Sequence, residues 1–155
     1  MSCVEGYVDV VRFIISVTGD VNLSKCSTFL PLHGACLGGQ LEVVTLLIEK
    51  GESVNRGDSN DGGTPLLRAC RPGHEGIVKV LIANDADVNK CNKYGMSPLC
   101  WCCLQGLYNI SSILIDTGAD GNQGNEAGMS PLTKACGKGH CDLVELLMEK
   151  GANVN

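Results

Sequence analysis

The stretch from Thr64 to Asn89, TPLLRACRPGHEGIVKVLIANDADVN, determines the fold because it returns with changes along the whole chain. Its proline has counterparts at spacings of 34, 33 and 33 residues, at Pro31, Pro65, Pro98 and Pro131. A glycine recurs at Gly6, Gly39, Gly73, Gly106 and Gly139, and a closing asparagine at Asn22, Asn55, Asn89, Asn122 and Asn155. Three markers with one period indicate a solenoid of stacked units. The one extra residue falls within residues 56–63, where a loop would absorb it.

Each unit has the pattern of two short helices joined by a turn. Thr64 is a good N-cap, and Pro65 suits the first helical position because it loses no hydrogen bond there. Gly73 supplies the left-handed conformation in which helices often end. The next segment carries Ile77, Val78, Val80, Leu81 and Ile82. These apolar residues occupy more than one face, which predicts a second helix sandwiched between neighbours. That helix stops near Asp85, where the other units have glycine.

A 33-residue period with these motifs resembles the ankyrin repeat. The positions that match include Thr64-Pro65-Leu66, His33, Ala35, Gly73-His74, Gly139-His140, Asp87-Val88-Asn89 and residues 152–155. The resemblance covers essentially the whole chain. It implies an all-α solenoid of helix-turn-helix units with β-turn or hairpin loop tips.

The period divides the chain into one ankyrin-type domain, 1–155. Residues 1–22 match a partial repeat, and 23–55, 56–89, 90–122 and 123–155 match full repeats. Solenoids need terminal repeats with a polar outer face, and neither end of this sequence has an obvious one. We therefore expect a segment of a longer repeat array, monomeric apart from weak end-to-end association.

Composition excludes several classes of protein. The formal charge is −5, from 12 basic and 17 acidic residues, so no basic stripe for nucleic acid is expected. No secretory signal is recognisable, and no apolar run approaches the roughly 20 residues of a membrane span. We expect a cytoplasmic or nuclear protein whose ten cysteines are reduced.

The cysteines follow the repeat. One position of the first helix carries Cys3, Cys36, Cys70, Cys103 and Cys136, which predicts a column of buried free thiols. Neither Cys100-x-Cys102-Cys103 nor Cys136-x₃-His140-Cys141 has the paired spacing of a zinc site. Cys26 and Cys91 fall in predicted loop tips and are the candidates for reactive thiols.

The sequence predicts no enzyme. His33, His74 and His140 lie at positions set by the repeat, with no nucleophile and carboxylate gathered around them. No phosphate-binding loop is present. We therefore expect no catalytic residues, no cofactor and no metal.

The resemblance implies that a partner protein binds a concave face made by the loop tips and the outer side of the first helices. The candidate residues on it are Phe29, Leu37, Arg68, Arg71, Tyr94, Met96, Trp101, Leu104, Met129, Lys134 and Lys138. Four of them, in the third full repeat, form a predicted hot spot: Tyr94, Met96, Trp101 and Leu104. Arg68 and Arg71 are predicted to pair with acidic residues of the partner. The alternative for Trp101 is half-burial against the next helix.

The leading functional prediction is a protein–protein interaction module, acting as a scaffold or as the targeting segment of a larger polypeptide. One alternative is an architectural spacer with no dedicated binding face, and another is a thiol redox or metal sensor. The same third repeat departs most from the family pattern, with Cys102, Leu107 and Ser111 replacing alanine, histidine and valine. We expect it to unfold first, since a buried hydroxyl costs stability.

Overall fold

A computed structural model of the chain describes residues 30–153, which form eight helices in four helix-turn-helix pairs. The pairs are α1 (Pro31–Leu37) with α2 (Leu41–Glu49), α3 (Pro65–Cys70) with α4 (Glu75–Ala83), α5 (Pro98–Gln105) with α6 (Tyr108–Asp116), and α7 (Pro131–Lys138) with α8 (Cys141–Glu149). The predicted all-α repeat solenoid is confirmed, and no strand occurs within these described residues.

The helices stack in two layers. The first helices α1, α3, α5 and α7 pack on one another in order, and the second helices α2, α4, α6 and α8 form a parallel row behind them. The first helices pack more closely because small buried residues, Ala35, Ala69, Cys102 and Ala135, face their neighbours.

A continuous apolar core fills the space between the two layers. Its fully buried side chains include Leu47, Leu66, Leu81, Leu99 and Leu114, so both helices of each repeat contribute. Burying one such leucine stabilises the fold by roughly 1.5–3 kcal/mol, which explains how helices this short persist. Each repeat completes the core of the next.

Three of the four first helices begin with a side-chain cap. The hydroxyls of Thr64, Ser97 and Ser130 accept hydrogen bonds from backbone N–H groups three residues later. The expected cap at Thr64 is confirmed. At α1 the corresponding residue is Leu30, which has no cap to offer.

The helix ends vary with the local sequence. α5 and α7 end at Gly106 and Gly139, both left-handed, but α3 stops at Cys70 because Pro72 has no N–H to continue the helix. After α4, Asp85 adopts a φ of 63°, as expected for a residue in the place of a glycine. It is the only non-glycine with positive φ among the described residues.

The recurring asparagine forms side-chain hydrogen bonds to the backbone of the following repeat. Asn89 accepts from the N–H of Asp120 at 2.8 Å and donates to the carbonyl of Gly118 at 3.0 Å. Asn55 makes the same two bonds to Asp87 and Asp85. One side chain thereby satisfies two backbone groups of the neighbouring turn, which explains why the residue recurs.

The described helices have at most nine residues. None of them is long enough to cross a bilayer, for which about 20 residues are needed.

Candidate partner-binding surface

The first-helix layer and three loop tips form one continuous surface, which we call the inner face. The tips are residues 57–63, 92–96 and 125–129, and the helices are α1, α3, α5 and α7. Within each tip one side chain organises the backbone: Asn92 Oδ1 accepts from the N–H groups of Tyr94 and Met96, both at 3.0 Å. Asn125 does the same in the following tip.

The tips are closed hairpin-like loops joined side by side. Asn92 N–H donates to Met96 O at 3.1 Å, closing the loop, and Lys93 N–H donates across to Asp61 O at 2.7 Å. Glu126 N–H reaches Tyr94 O at 3.3 Å in the same way. In the tip at 57–63 the closing bond runs from the Asp58 N–H to Gly63 O, so this loop is one residue longer and absorbs the extra residue of its repeat, as expected. This backbone ladder holds the tip side chains in a fixed row.

Two of the predicted contact residues are prominent on the tips. Tyr94 is 61% exposed, although it is an aromatic side chain with its backbone fixed on both sides. Met129 is 37% exposed in the next tip. Met96 and Leu104 are half-buried in the same repeat as Tyr94. The third repeat thus presents a large apolar side chain to solvent, next to a second one from the fourth.

Trp101 is half-buried and packs against the core, as the alternative interpretation of this residue had it. The Arg71 guanidinium, which belongs to the preceding repeat, lies over the indole at 4.8 Å from the ring centroid. A guanidinium on a tryptophan face gains roughly 0.5–2 kcal/mol by the cation–π interaction. The pair therefore fixes an exposed arginine on the inner face across a repeat boundary.

The prediction that Arg68 pairs with a partner is wrong. Arg68 is only 6% exposed, and its guanidinium binds two carboxylates of its own loop tip. Asp58 Oδ2 lies 2.9 Å from Nε, and Asp61 binds the terminal nitrogen. A buried arginine needs such anionic partners, and the loop supplies them. The two aspartates just before α3 were the sequence signal that could have predicted this internal ion pair.

The carboxylate of Asp61 is held in its charged form. Burial by itself would raise the pKa of Asp61, but the Gly63 N–H, Arg68 and Asn92 outweigh it and lower the pKa below its ordinary value. The ammonium group of Lys93, a residue that sequence reasoning missed, donates hydrogen bonds to the carbonyls of Ser59 and Asn60. The charged groups of this tip therefore have a structural role. Of the two arginines predicted to contact a partner, only Arg71 is exposed.

The remaining predicted residues extend the inner face to both sides. Lys134 is half-exposed with Nζ 3.8 Å from the sulfur of Met129, and Lys138 is exposed at the end of α7. Leu37 is 50% exposed at the end of α1, two stacked helices away from Trp101. Phe29 lies outside the described residues.

The histidines have structural roles. His33 Nε2 lies 3.1 Å from Gly63 O of the following repeat, and His74 Nε2 lies 3.3 Å from Leu37 O of the preceding one. Burial lowers the pKa of His33 from its ordinary value, against the opposing effect of Asp58. Both rings join neighbouring repeats.

The buried thiol column is present for Cys36, Cys70 and Cys103, all with no exposed surface. Cys136, at the same position of the fourth repeat, is exposed because no described helix packs beyond α7, and Cys3 and Cys26 lie outside the described residues. The expectation of a reactive Cys91 is not supported, since burial raises the pKa of its thiol. Residues 30–153 contain no group of histidine, cysteine and carboxylate side chains arranged for a metal.

Comparison with known proteins agrees with this architecture. The family model for ankyrin repeats (3 copies) matches residues 1–90 and again 66–155, and so covers the chain.

Individual relatives match over about half of the chain. A probable E3 ubiquitin-protein ligase of rice, XBOS33 of Oryza sativa subsp. japonica, is 40% identical over 45% of this chain and 14% of its own length. Ankyrin repeat and SAM domain-containing protein 6 of Rattus norvegicus is 41% identical over 48% of this chain and 8% of its own. Protein phosphatase 1 regulatory subunit 27 of Mus musculus is 36% identical, over 54% of each chain.

Proposed function

Because this chain belongs to the ankyrin repeat family, whose repeats are modules for protein–protein interaction, we propose that its inner face is the surface on which a partner protein docks. In this proposal the chain binds and does not catalyse, and it acts as the scaffold or targeting segment of the polypeptide that contains it. Any activity of that polypeptide belongs to other domains.

Tyr94 is the observation that carries the proposal. Large apolar side chains at the surface of a stable protein are ordinary when scattered, but a rigid aromatic anchor beside other apolar groups is typical of an interface core. Asn92 and Glu126 hold the backbone of Tyr94, so the backbone at this position loses little conformational freedom on binding. Met129 and the Arg71–Trp101 pair lie on the same face.

The names of the relatives are consistent with a general role in protein interaction. One of them is named as a regulatory subunit of a protein phosphatase, and others as E3 ubiquitin ligases and a palmitoyltransferase. The match to the ligase and the palmitoyltransferase covers 14% and 12% of their lengths, so most of each protein lies outside the shared repeats. Such an arrangement is expected when repeats bring a partner to a separate activity.

The test is affinity capture from an extract of the source organism, with the chain and two single variants as bait. Tyr94→Ala removes the proposed anchor. Tyr108→Ala is the matched control, because Tyr108 is also exposed in the same repeat, at 41%. It lies beyond the far end of α5, an eight-residue helix about 12 Å long.

We expect a protein retained by the chain and by Tyr108→Ala, and reduced about tenfold or more by Tyr94→Ala, as for an interface hot spot. Thermal unfolding of all three baits shows that they are equally folded. Capture that is identical for the three baits would overturn the inner-face proposal and favour the architectural spacer.

A further inference from the structure

We propose that the inner face recognises an acidic peptide segment of the partner, bound between the loop tips and the first helices; this inference rests on the proposed function. Charge is segregated between the two layers of the solenoid, and the inner layer is basic although the chain as a whole is acidic, with a formal charge of −5.

The second helices carry the acidic side chains. Those found on α2, α4, α6 and α8 are Glu42, Glu49, Glu75, Asp116, Asp142, Glu145 and Glu149. The first helices α1, α3, α5 and α7 contain neither aspartate nor glutamate. The first-helix layer therefore has a positive potential relative to the layer behind it.

Two cations on the second-helix side have carboxylate partners among the described residues, whereas the exposed cations of the inner face have none. On the second-helix side, Lys79 pairs with Glu75 at 2.6 Å and Lys150 with Asp116 at 2.8 Å. On the inner face Arg71, Lys134 and Lys138 make no salt bridge with any described residue. Arg68 is the exception, since its two aspartates neutralise it within the tip. Three cations on this face are thus free for carboxylates of a partner.

Arg71 has the geometry of a carboxylate receptor. Its guanidinium carbon lies over the Trp101 ring, 4.8 Å from the centroid, and this contact restrains the side chain while the N–H groups remain available. A guanidinium prepared in this way binds a carboxylate through two parallel hydrogen bonds and loses little entropy. Tyr94, Met96 and Leu104 offer apolar contacts in the repeat that contains Trp101. The surface therefore fits a segment with acidic residues beside an apolar one.

A nucleic acid is the alternative anionic ligand for the inner face. The number and arrangement of charged side chains on this face favour a peptide. A phosphate backbone carries one charge per nucleotide and is bound through long basic tracks, whereas the cations here are few. Glu126 and the Asp58–Asp61 cluster lie on the loop tips, where they would repel a continuous phosphate chain. A peptide can place separate carboxylates at separate cations and avoid these anions.

The test is selection of random displayed peptides on the immobilised chain, followed by binding measurements on synthetic copies of the enriched sequences. The charge variant is Arg71→Gln with Lys134→Gln. Its matched control is Lys50→Gln with Lys79→Gln, which removes the same charge from the second-helix side. Binding is measured in parallel for two further ligands. One is a set of the same peptides with glutamine and asparagine in place of glutamate and aspartate, and the other is a single-stranded oligonucleotide.

We expect enriched peptides rich in aspartate and glutamate, with affinity about tenfold or more weaker for the Arg71/Lys134 variant and for the amide copies, and unchanged for the control. Affinity should fall as salt rises, less steeply for the charge variant. Arg71→Lys, which keeps the charge but not the stacked fork, should be intermediate. Unfolding curves of every variant exclude loss of fold as the cause.

Other outcomes separate this inference from the proposed function. Peptides that lose binding to Tyr94→Ala but bind the charge variant normally would overturn the acidic-segment inference and leave the docking face standing. Peptides indifferent to both variants, or no enriched peptide at all, would overturn both. Binding of the oligonucleotide through Arg71 and Lys134 without any peptide binding would assign the face to nucleic acid.

Discussion

The Cε1 atom of His140 lies 2.6 Å from the position that a Cβ atom on Gly106 would occupy. Gly106 ends α5 with a φ of 75°, so two separate constraints apply to one glycine. The left-handed conformation is one, and close approach by the histidine of the next repeat is the other. Gly39 and His74 repeat the relationship at 2.7 Å. The Gly-His motif is therefore a contact between repeats as well as a helix end.

We expect Gly106→Ala to destabilise the chain more than Gly73→Ala does. Gly73 has a similar φ of 82°, but the nearest atom to its virtual Cβ is a Leu107 methyl at 3.5 Å, an ordinary contact. Gly73→Ala should lower the free energy of unfolding by about 1–2 kcal/mol from backbone strain. Gly106→Ala should cost a further ~1–3 kcal/mol because the ring must move. Urea unfolding measures both, and equal losses would contradict the close-approach argument.

Glu52 makes the stability depend on pH. It takes the place of Ala86, Ala119 and Ala152 in the other repeats, and burial raises the pKa of Glu52 to about 7, despite the hydrogen bond from the Leu32 N–H. One carboxylate oxygen has no hydrogen-bond partner among the described residues. The folded chain thus holds a proton that the unfolded chain has already released. Stability therefore falls as the pH rises from about 4.5 to about 7 and is level above that.

Glu52→Gln removes this dependence and keeps an acceptor for the N–H of Leu32. We expect it to stabilise the chain by about 1–2 kcal/mol at pH ~8, after allowance for partial exposure of the side chain, and by almost nothing at pH ~4. Urea unfolding of the variant and the unchanged chain at both pH values measures the difference. Glu49→Gln, at an exposed site on α2, is the control and should show no such dependence. The same stabilisation by Glu52→Gln at both pH values would contradict the assignment.

Thiol labelling distinguishes the buried cysteine column from a redox sensor. Burial raises the pKa of both Cys36 and Cys103 to about 12, so neither forms the reactive thiolate in the native state. We expect iodoacetamide to modify Cys136 and Cys141, which are exposed, and to reach the column only after unfolding. Site-resolved mass spectrometry over time measures this. Labelling of Cys36 or Cys103 as fast as Cys141 would favour the thiol-sensor alternative.

Ser111 should make the third repeat the first to open. It is fully buried, its hydroxyl has no hydrogen-bond partner among the described residues apart from an interaction with the Cys103 thiol, and Val44 and Val78 occupy the same position elsewhere. We expect Ser111→Val to raise the free energy of unfolding by about 1 kcal/mol or more. Hydrogen exchange should show the lowest protection in residues 98–116, and the variant should raise it.

Ser112→Val, on the same helix but half-exposed, serves as the control and should leave protection nearly unchanged. Uniform protection across all four described repeats would contradict the prediction. A stabilising effect of Ser112→Val as large as that of Ser111→Val would attribute the gain to β-branching and not to the buried hydroxyl.

Most of the architecture follows from the sequence because its signals are local and recur. Proline at the first helical position and the hydroxyl cap before it act within one turn, so Thr64, Ser97 and Ser130 behave as their types predict. Asp85 adopts the left-handed conformation for an equally local reason. The family pattern then places the units in one stack, and the first-helix layer with its tips is where the predicted contact residues lie.

Only the tertiary structure decided which polar and aromatic side chains have their interaction partners within the chain itself. Arg68 and Arg71 are three residues apart and look equally available in the sequence, yet Asp58 and Asp61 fold back onto the first while the second lies over Trp101 of the next repeat. Cys103 and Cys136 share one repeat position, yet the first is buried and the second exposed. The period determined the helices, the turns and the order of stacking. The partners of each side chain depended on contacts across loops and between repeats, and no local pattern encodes those distances.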